Sequence, residues 1–485
     1  MVIAFTVLVT LLGLGLRFYR LSNQSLWTDE VASLETARVP LGQIVERSAV
    51  QNNSPPTYFL LLRVLVGDSN RNIEVRARWL SALAGALSIP VFVGIVYLWR
   101  RHWGTALTAG LLLATNPLHL WYSQEVRAYS LMLFFGLLAV LFFELARFRK
   151  RQGWWVLYFV LALAALSLHK TAIVFPAACG LWHAWEVIRE RGRLRQLGVH
   201  AAILGFALAT LALKSYPPAK ELGRSSSILE ILYTLMTFVG GYSFGPSLTE
   251  IQSYGAWNAV RRHVVEVAIL AVVMFQIAVV YVRHFRIFSR GKESFLLVLG
   301  VGIAALGALV SAFPYNIRYA LPGLFGFLAV VASFVAIPVK GYSGRLCLVS
   351  MLIVGLWADA QWFYGAAYRK GDSRAVAQWL TENRREVASW TVLPDYLGTS
   401  ILWYLQGEPE ISARFQPPKT PQSTSFPPVP DVLIIGRRHH ILRPDELIAA
   451  YKSAAGKVRA IEAFAGFEIY ARDLSGGNEI LPVPR

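Results

Sequence analysis

Four short polar groups interrupt an otherwise apolar chain, and their residue types suit one kind of chemistry. An adjacent acidic pair, Asp29-Glu30, stands in "SLWTDEVASLETA" directly after the first apolar run. "YSQEVRAY" places Glu125 and Arg127 between Tyr122 and Tyr129, His169-Lys170 follows another run, and "NIRY" carries Arg318 beside Tyr319. A carboxylate can orient and deprotonate a hydroxyl, and cations can stabilise a departing phosphate. Asp29 or Glu30 could be that base. Arg127, Lys170 and Arg318 could clamp the phosphate, arginine by two-pronged contact and lysine as a point charge.

These groups need a scaffold, and the composition says which. The 485 residues are 55% hydrophobic and 16% charged, with mean hydropathy +0.46, which fits a polytopic membrane protein better than a soluble domain. The formal charge of +18 would suit nucleic acid if it were clustered on a polar domain. Instead the Lys and Arg fall in short connectors between apolar runs, so no nucleic-acid partner is expected. Cys179 and Cys347 both lie in apolar stretches, so no stabilising disulfide is expected.

Runs able to cross about 30 Å of hydrocarbon centre on Ile3–Leu16, Leu80–Trp99, Ala106–Leu120, Tyr129–Phe143, Trp154–Leu168, Ile173–Ile188, Val199–Leu213, Val264–Val282, Phe295–Phe313, Ala320–Val339 and Leu346–Phe363. The fold class expected is therefore a polytopic α-helical membrane protein with about eleven transmembrane helices. Thr57–Val66, after Pro55-Pro56, is too short to span and reads as an interfacial or re-entrant helix. The first run lacks a preceding Lys or Arg and a small-residue cleavage site, so it reads as a retained anchor.

Cationic clusters at Arg100-Arg101, Arg147–Arg151, Arg189–Arg195, Arg283–Lys292 and Lys340 with Arg345 occupy every second connector. Those connectors should be cytoplasmic, placing the N-terminus inside, against the weaker signal of Arg17 and Arg20. All four polar groups then fall on the exterior face of a plasma or inner membrane, together with the loops 17–79 and 214–262. The span interiors read as almost uncharged, which disfavours a transporter. Beyond the membrane domain 1–364, residues 365–485 alternate helix-like and strand-like segments. "GDSRAVAQWLTENRREVASW" reads as an amphipathic helix, "DVLIIGRR" and "AGFEIYARDL" as strands, and "RPDELIAAYKSAA" as a helix between them. A small exterior (periplasmic) α/β domain is expected. The proline-rich "FQPPKTPQSTSFPPVPD" is read as a loop.

The order of "LWTDE", "NSPPTYFLLLRVL", "RARWLSALAGAL", "YSQEVRAYSL" and "NIRYALP" resembles the membrane glycosyltransferases of the GT-C superfamily, particularly bacterial relatives of protein O-mannosyltransferases and aminoarabinose transferases. The resemblance covers Met1–Leu213 well and the later spans loosely. It implies inverting transfer of a sugar from a polyprenyl-phosphate donor to a hydroxyl of a glycan, lipid or protein acceptor. It also implies Asp29 as base, Glu30 as a catalytic partner that supports it or contacts acceptor or metal, Glu125 as the catalytic acidic residue after the third span, and Arg127 and Arg318 as donor-phosphate contacts. Lys170 joins that clamp, and Tyr129, His169 and Tyr319 support the substrate. Some members hold a divalent metal, for which Glu125 and His169 are the conceivable ligands here; one histidine and scattered acids do not define a site. A ligase or polymerase of lipid-linked glycans is the alternative, and a lipid or solute transporter a more distant one.

Overall fold

Helices occupy every one of the eleven apolar runs in a computed structural model of the chain. The structure describes residues 1–52, 54–149, 151–190, 197–212, 228–247, 250, 256–289, 291–310, 315–336, 343–418, 429–436, 444–464 and 466–472. Parts of the expected cytoplasmic connectors (150, 191–196, 290 and 337–342), much of the 214–262 loop and most of the proline-rich stretch lie outside the described residues.

Among the described residues, six helices are long and apolar enough to cross a membrane: Ile73–Arg100, Tyr129–Arg149, Lys170–Arg189, Val264–Arg283, Ile317–Val335 and Gly344–Tyr364, two of them opening on a 3-10 turn. Shorter or partly described apolar helices complete the set, among them Val2–Phe18, Trp103–Ala114, Gln152–Leu168, Leu197–Ala212 and Lys292–Val310. This is a multi-pass membrane protein. Thr57–Val66 is a separate ten-residue helix.

The run read as Ala106–Leu120 is not continuous, and its sequence explains the break. Helix Trp103–Ala114 stops before Asn116, and Pro117–Ser123 starts a new one. Proline suits a first helical position and disfavours helix at the residue before it. The Asn116 side-chain oxygen accepts from His119 N at 2.9 Å, capping the new helix, and its amide donates to Phe238 O at 2.8 Å.

The chain divides into two compact units. The first comprises Met1–Leu21, Thr36–Phe244 and Val265–Ala360. In it Tyr129–Arg149 packs along Gln152–Leu168, and Ile73–Arg100 packs against Val2–Phe18, Trp103–Ala114 and Tyr129–Arg149. Helices Lys292–Val310 and Leu321–Ala332 meet backbone to backbone. A Cβ at Gly300 would collide with the main chain of Gly323, and one at Gly326 with the main chain of Glu293 and Leu297. Such small-residue seams are how helices associate closely where lipid supplies no hydrophobic drive.

The cationic ends of these helices are stapled by buried acids. Glu144 accepts from Lys292 at 2.7 and 2.8 Å, from Trp99 Nε1 at 3.1 Å and from Arg147 at 3.2 Å. Arg147 also pairs with Glu186, and Arg100 with Glu293. The expectation of almost uncharged span interiors therefore needs correcting. Besides these acids, Asp359 is buried within Ser343–Tyr364 and Arg17 within Val2–Phe18. Each is a single residue in a strongly apolar stretch, which hydropathy averages away.

The second unit comprises Ser22–Glu35, Gly245–Val264 and Gln361–Arg485. Its sheet has four strands, β1 (Trp390–Leu393), β2 (Val432–Gly436), β3 (Val458–Phe464) and β4 (Phe467–Arg472), in the order β1-β2-β4-β3. β1 runs parallel to β2, β4 antiparallel to β2, and β3-β4 is a hairpin. Helix Ser373–Glu382 begins with Asp372 accepting from Ala375 N at 3.1 Å. It buries Val376, Trp379 and Leu380 in a core that includes Trp390, Ile401, Ile434 and Ile469. Helix Pro444–Ala455 packs Leu447, Ile448 and Tyr451 on the other side with Leu433 and Ile435. β2, β4 and both helices match the sequence reading. β1 and β3 lie outside it; all four residues of β1 are buried, so no alternation marks that strand.

Candidate active site

In the first unit, Gln124 and Arg78 hold the segment that carries Glu125 and Arg127. The last carbonyls of a helix have no intrahelical donor, and Gln124 Nε2 supplies one to Leu16 O, Arg17 O and Tyr19 O at 3.3, 3.0 and 2.9 Å. Arg78, itself buried, donates to Leu21 O at 2.8 Å. The turn between Ser123 and Tyr129 is thereby fixed to the end of the first helix. Arg127 N donates to Glu125 O at 2.9 Å, and Ser81 Oγ approaches Arg127 O at 3.3 Å.

Glu125 is buried at 2% exposure. Close to it, the hydroxyls of Tyr122 and Tyr242 share a 3.0 Å hydrogen bond, and Tyr122 stacks edge-on with Tyr129 at 5.2 Å. Burial first, then Tyr242 and Glu125, push the Tyr122 phenol well above its ordinary range, so it stays a hydrogen-bond donor. Tyr129 in turn lies 4.9 Å from the His169 ring, and His169 stacks on Tyr319 at 6.4 Å. Arg318 stands over the Tyr319 ring at 5.4 Å, its backbone N–H donating to Asn316 Oδ1 at 3.1 Å.

Three cations surround that histidine. Burial, and then the charges of Arg127, Arg318 and Lys170, push the His169 imidazole down to about 3. The ring is neutral at physiological pH, with Nδ1 accepting from Thr171 N at 3.3 Å and lying 2.9 Å from Thr171 Oγ1. Glu125, Arg127, Tyr129, His169, Lys170, Arg318 and Tyr319 are thus brought to one neighbourhood. A cluster of cations around an uncharged ring is a setting for an anion.

A pH consequence follows. The unfolded chain protonates this histidine near 6.5 while the folded chain does not, so stability falls as pH drops from 6.5 toward 3 and is unaffected above. Arg127→Gln removes the largest of the three charge contributions, raises the folded value and narrows that window. The melting temperature of the detergent-solubilised variant should fall less steeply than the wild type between pH 6.5 and 4.

A metal fits poorly here. Among the described residues no three His, Cys, Asp or Glu side chains converge to hold an ion. Glu125 and His169 share their surroundings with three cations, which oppose another positive charge.

Asp29 and Glu30 belong to the second unit. Both lie in the first turn of helix Thr28–Arg38, where the helix dipole favours acids. Asp29 is half-buried, whereas the Glu30 side chain is fully buried and meets Lys370 Nζ at 3.4 Å. Glu30 also reaches back to Trp27 N at 3.4 Å.

From sequence alone, Arg17 served only as an orientation signal, and His119, Tyr242 and Lys370 were not marked. Arg17 is fully buried and bonded to His119 Nδ1 at 2.8 Å. An arginine at the end of a span, unpaired with any neighbour in sequence, was the available signal.

ArnT from Cupriavidus metallidurans in the apo state superposes with a TM-score of 0.50 over 97% of this chain and 98% of its own, at 13% identity. The chain has the GT-C fold. ArnT bound to undecaprenyl phosphate gives 0.49 over the same shares at 13% identity. The Archaeoglobus fulgidus oligosaccharyltransferase in the apo form gives 0.49 at 11% identity, over 98% of this chain and 75% of that one. Residues 67–222 match the family model for dolichyl-phosphate-mannose-protein mannosyltransferase. No curated protein matches the chain in sequence. The family match spans the Glu125–Lys170 part of the bundle and covers less than half of the chain.

Proposed function

We propose that the protein transfers a sugar from a polyprenyl-phosphate donor to a hydroxyl acceptor, with inversion, at the exterior face of the membrane. The observation that carries this reading is the gathering of Arg127, Lys170 and Arg318 around a neutral His169 at one end of the membrane unit. At the other end of the 21-residue helix Tyr129–Arg149, a span of about 31 Å, Arg147 pairs with Glu144 and Glu186, and Lys292 with Glu144. Cationic connectors at that end support a cytoplasmic assignment for it. The donor phosphate then sits at the opposite, exterior end.

Asp29 takes the proton of the acceptor hydroxyl as its oxygen attacks the anomeric carbon. The bond from that carbon to the phosphate oxygen breaks on the far side, which inverts the centre. The three cations and the Tyr122 hydroxyl stabilise the charge that grows on the departing phosphate. The apolar helices within residues 1–364 carry the donor side of this enzyme, and residues from 365, which belong to the second unit with Ser22–Glu35 and Gly245–Val264, supply a soluble portion for the acceptor.

Mass spectrometry of lipids that co-purify with the detergent-extracted protein tests the donor. The expected species is a polyprenyl monophosphate carrying one sugar. A polyprenyl diphosphate bearing a glycan would overturn the assignment in favour of a ligase or polymerase.

A further inference from the structure

Within the second unit, several residues between Ser22 and Glu30 bond to its C-terminal portion. Arg374 donates to Asn23 O at 3.2 Å, and Gln24 Oε1 accepts from Lys370 N at 3.0 Å. Ser25 Oγ donates to Gly371 O at 2.9 Å, and Leu26 N to Tyr404 OH at 2.8 Å. The Glu30–Lys370 pair follows, with side-chain exposures of 0% and 4%, and the Lys370 ammonium lies 5.5 Å from the Trp27 ring centroid and 6.0 Å from that of Trp362. The acidic turn and the chain around Lys370 are built as one piece.

We propose that Lys370 is a positioning residue: through Glu30 it sets the direction in which Asp29 points. This rests on the glycosyltransferase reading above, with Asp29 as base. Successive helical residues point about 100° apart, so burying Glu30 fixes the rotation of helix Thr28–Arg38 about its own axis and turns Asp29 outward. A buried carboxylate tolerates no alternative rotation that separates it from its cation, because an unpaired buried charge is strongly unfavourable. An ion pair of this kind contributes register more than stability. Glu30 accordingly has no part in the proton transfer, and the C-terminal portion of the chain aims the base in addition to any contact it makes with the acceptor.

The test uses the full-length protein in proteoliposomes with a polyprenyl-phosphate sugar. Lys370→Met should lower kcat by tenfold or more, since misplacement of about 1 Å can cost about a hundredfold, and should leave KM for the donor within about threefold, because the proposed phosphate contacts are elsewhere. Glu30→Gln combined with Lys370→Met removes both charges, relieves the unpaired carboxylate and should recover much of the loss. Equal activity of Lys370→Met and wild type, or a double variant no better than the product of the two single ones, would overturn the proposal. So would a rise in donor KM alone, which would make Lys370 a donor contact.

A second readout needs no turnover. Both native cysteines are buried, so Asp29→Cys can be labelled selectively with a membrane-impermeant maleimide. Adding Lys370→Met should change its labelling rate by threefold or more, and an unchanged rate in a protein that still elutes as a single folded species sinks the idea. If instead the wild type transfers no sugar while the labelling rate shifts as expected, the functional reading fails and the positioning role stands.

Discussion

Asp29→Asn should reduce sugar transfer by at least about a hundredfold, the usual effect of losing a general base, while donor binding stays within about threefold of wild type. The amide has the size of the carboxylate but cannot accept the acceptor's proton. Asp29 is half-buried in the first turn of helix Thr28–Arg38, and asparagine keeps that place in the turn. Glu30, one residue on, cannot take over, because it is fully buried against Lys370. Initial rates in proteoliposomes, with donor binding measured separately, check this. A transporter would carry substrate almost unimpaired with the same substitution, and a diphosphate-dependent ligase would keep most of its activity.

Arg17→Met should destabilise the membrane unit by about 3–5 kcal/mol, the cost of breaking a buried charged network from one side. Arg17 is 0% exposed and donates to Gly13 O at 3.0 Å, Ala114 O at 3.1 Å and Leu113 O at 3.1 Å, besides meeting His119. The buried carboxylate of Asp359 lies within its electrostatic reach, with neither oxygen hydrogen-bonded. A Cβ at residue 85 would stand 3.1 Å from Arg17 Nε and against the Ser123 side chain, so Gly85 leaves the guanidinium its room. Methionine fills much of that space but leaves two carbonyls at the end of helix Trp103–Ala114 without their donor and Asp359 without its counter-charge. Lysine should rescue little, since one ammonium cannot reach both sides of the cluster. Thermal unfolding in detergent, compared with the combined variant Arg17→Met with Asp359→Asn, measures it; the pair should be more stable than Arg17→Met alone.

The membrane helices were legible because hydropathy reports a property each helix carries by itself. The eleven runs needed no partner to be recognised, and the break at Asn116-Pro117 was present in the residue types although the apolar average hid it. Glu125, Arg127, His169, Lys170 and Arg318 stood out for the same reason: each is a polar residue at the edge of an apolar run. What joins Arg17 to Asp359, or Glu30 to Lys370, is tertiary packing between segments hundreds of residues apart, and no local stretch of sequence names the partner. β1 was hidden differently, since a short strand buried on both faces carries no periodicity. Hydropathy also could not show that Glu30 turns inward while its neighbour does not, because adjacent acids in one helical turn look equivalent until something packs on one of them.

The glycine seam between Lys292–Val310 and Leu321–Ala332 bears on how the surroundings of Arg318 can evolve. Arg318 stands just before the second of these helices, and its height is set by peptide planes in direct touch, a spacing that no assortment of aliphatic side chains adjusts. Drift among the lipid-facing residues of the two helices can therefore proceed freely, as lipids differ from one bilayer to another, without moving that guanidinium.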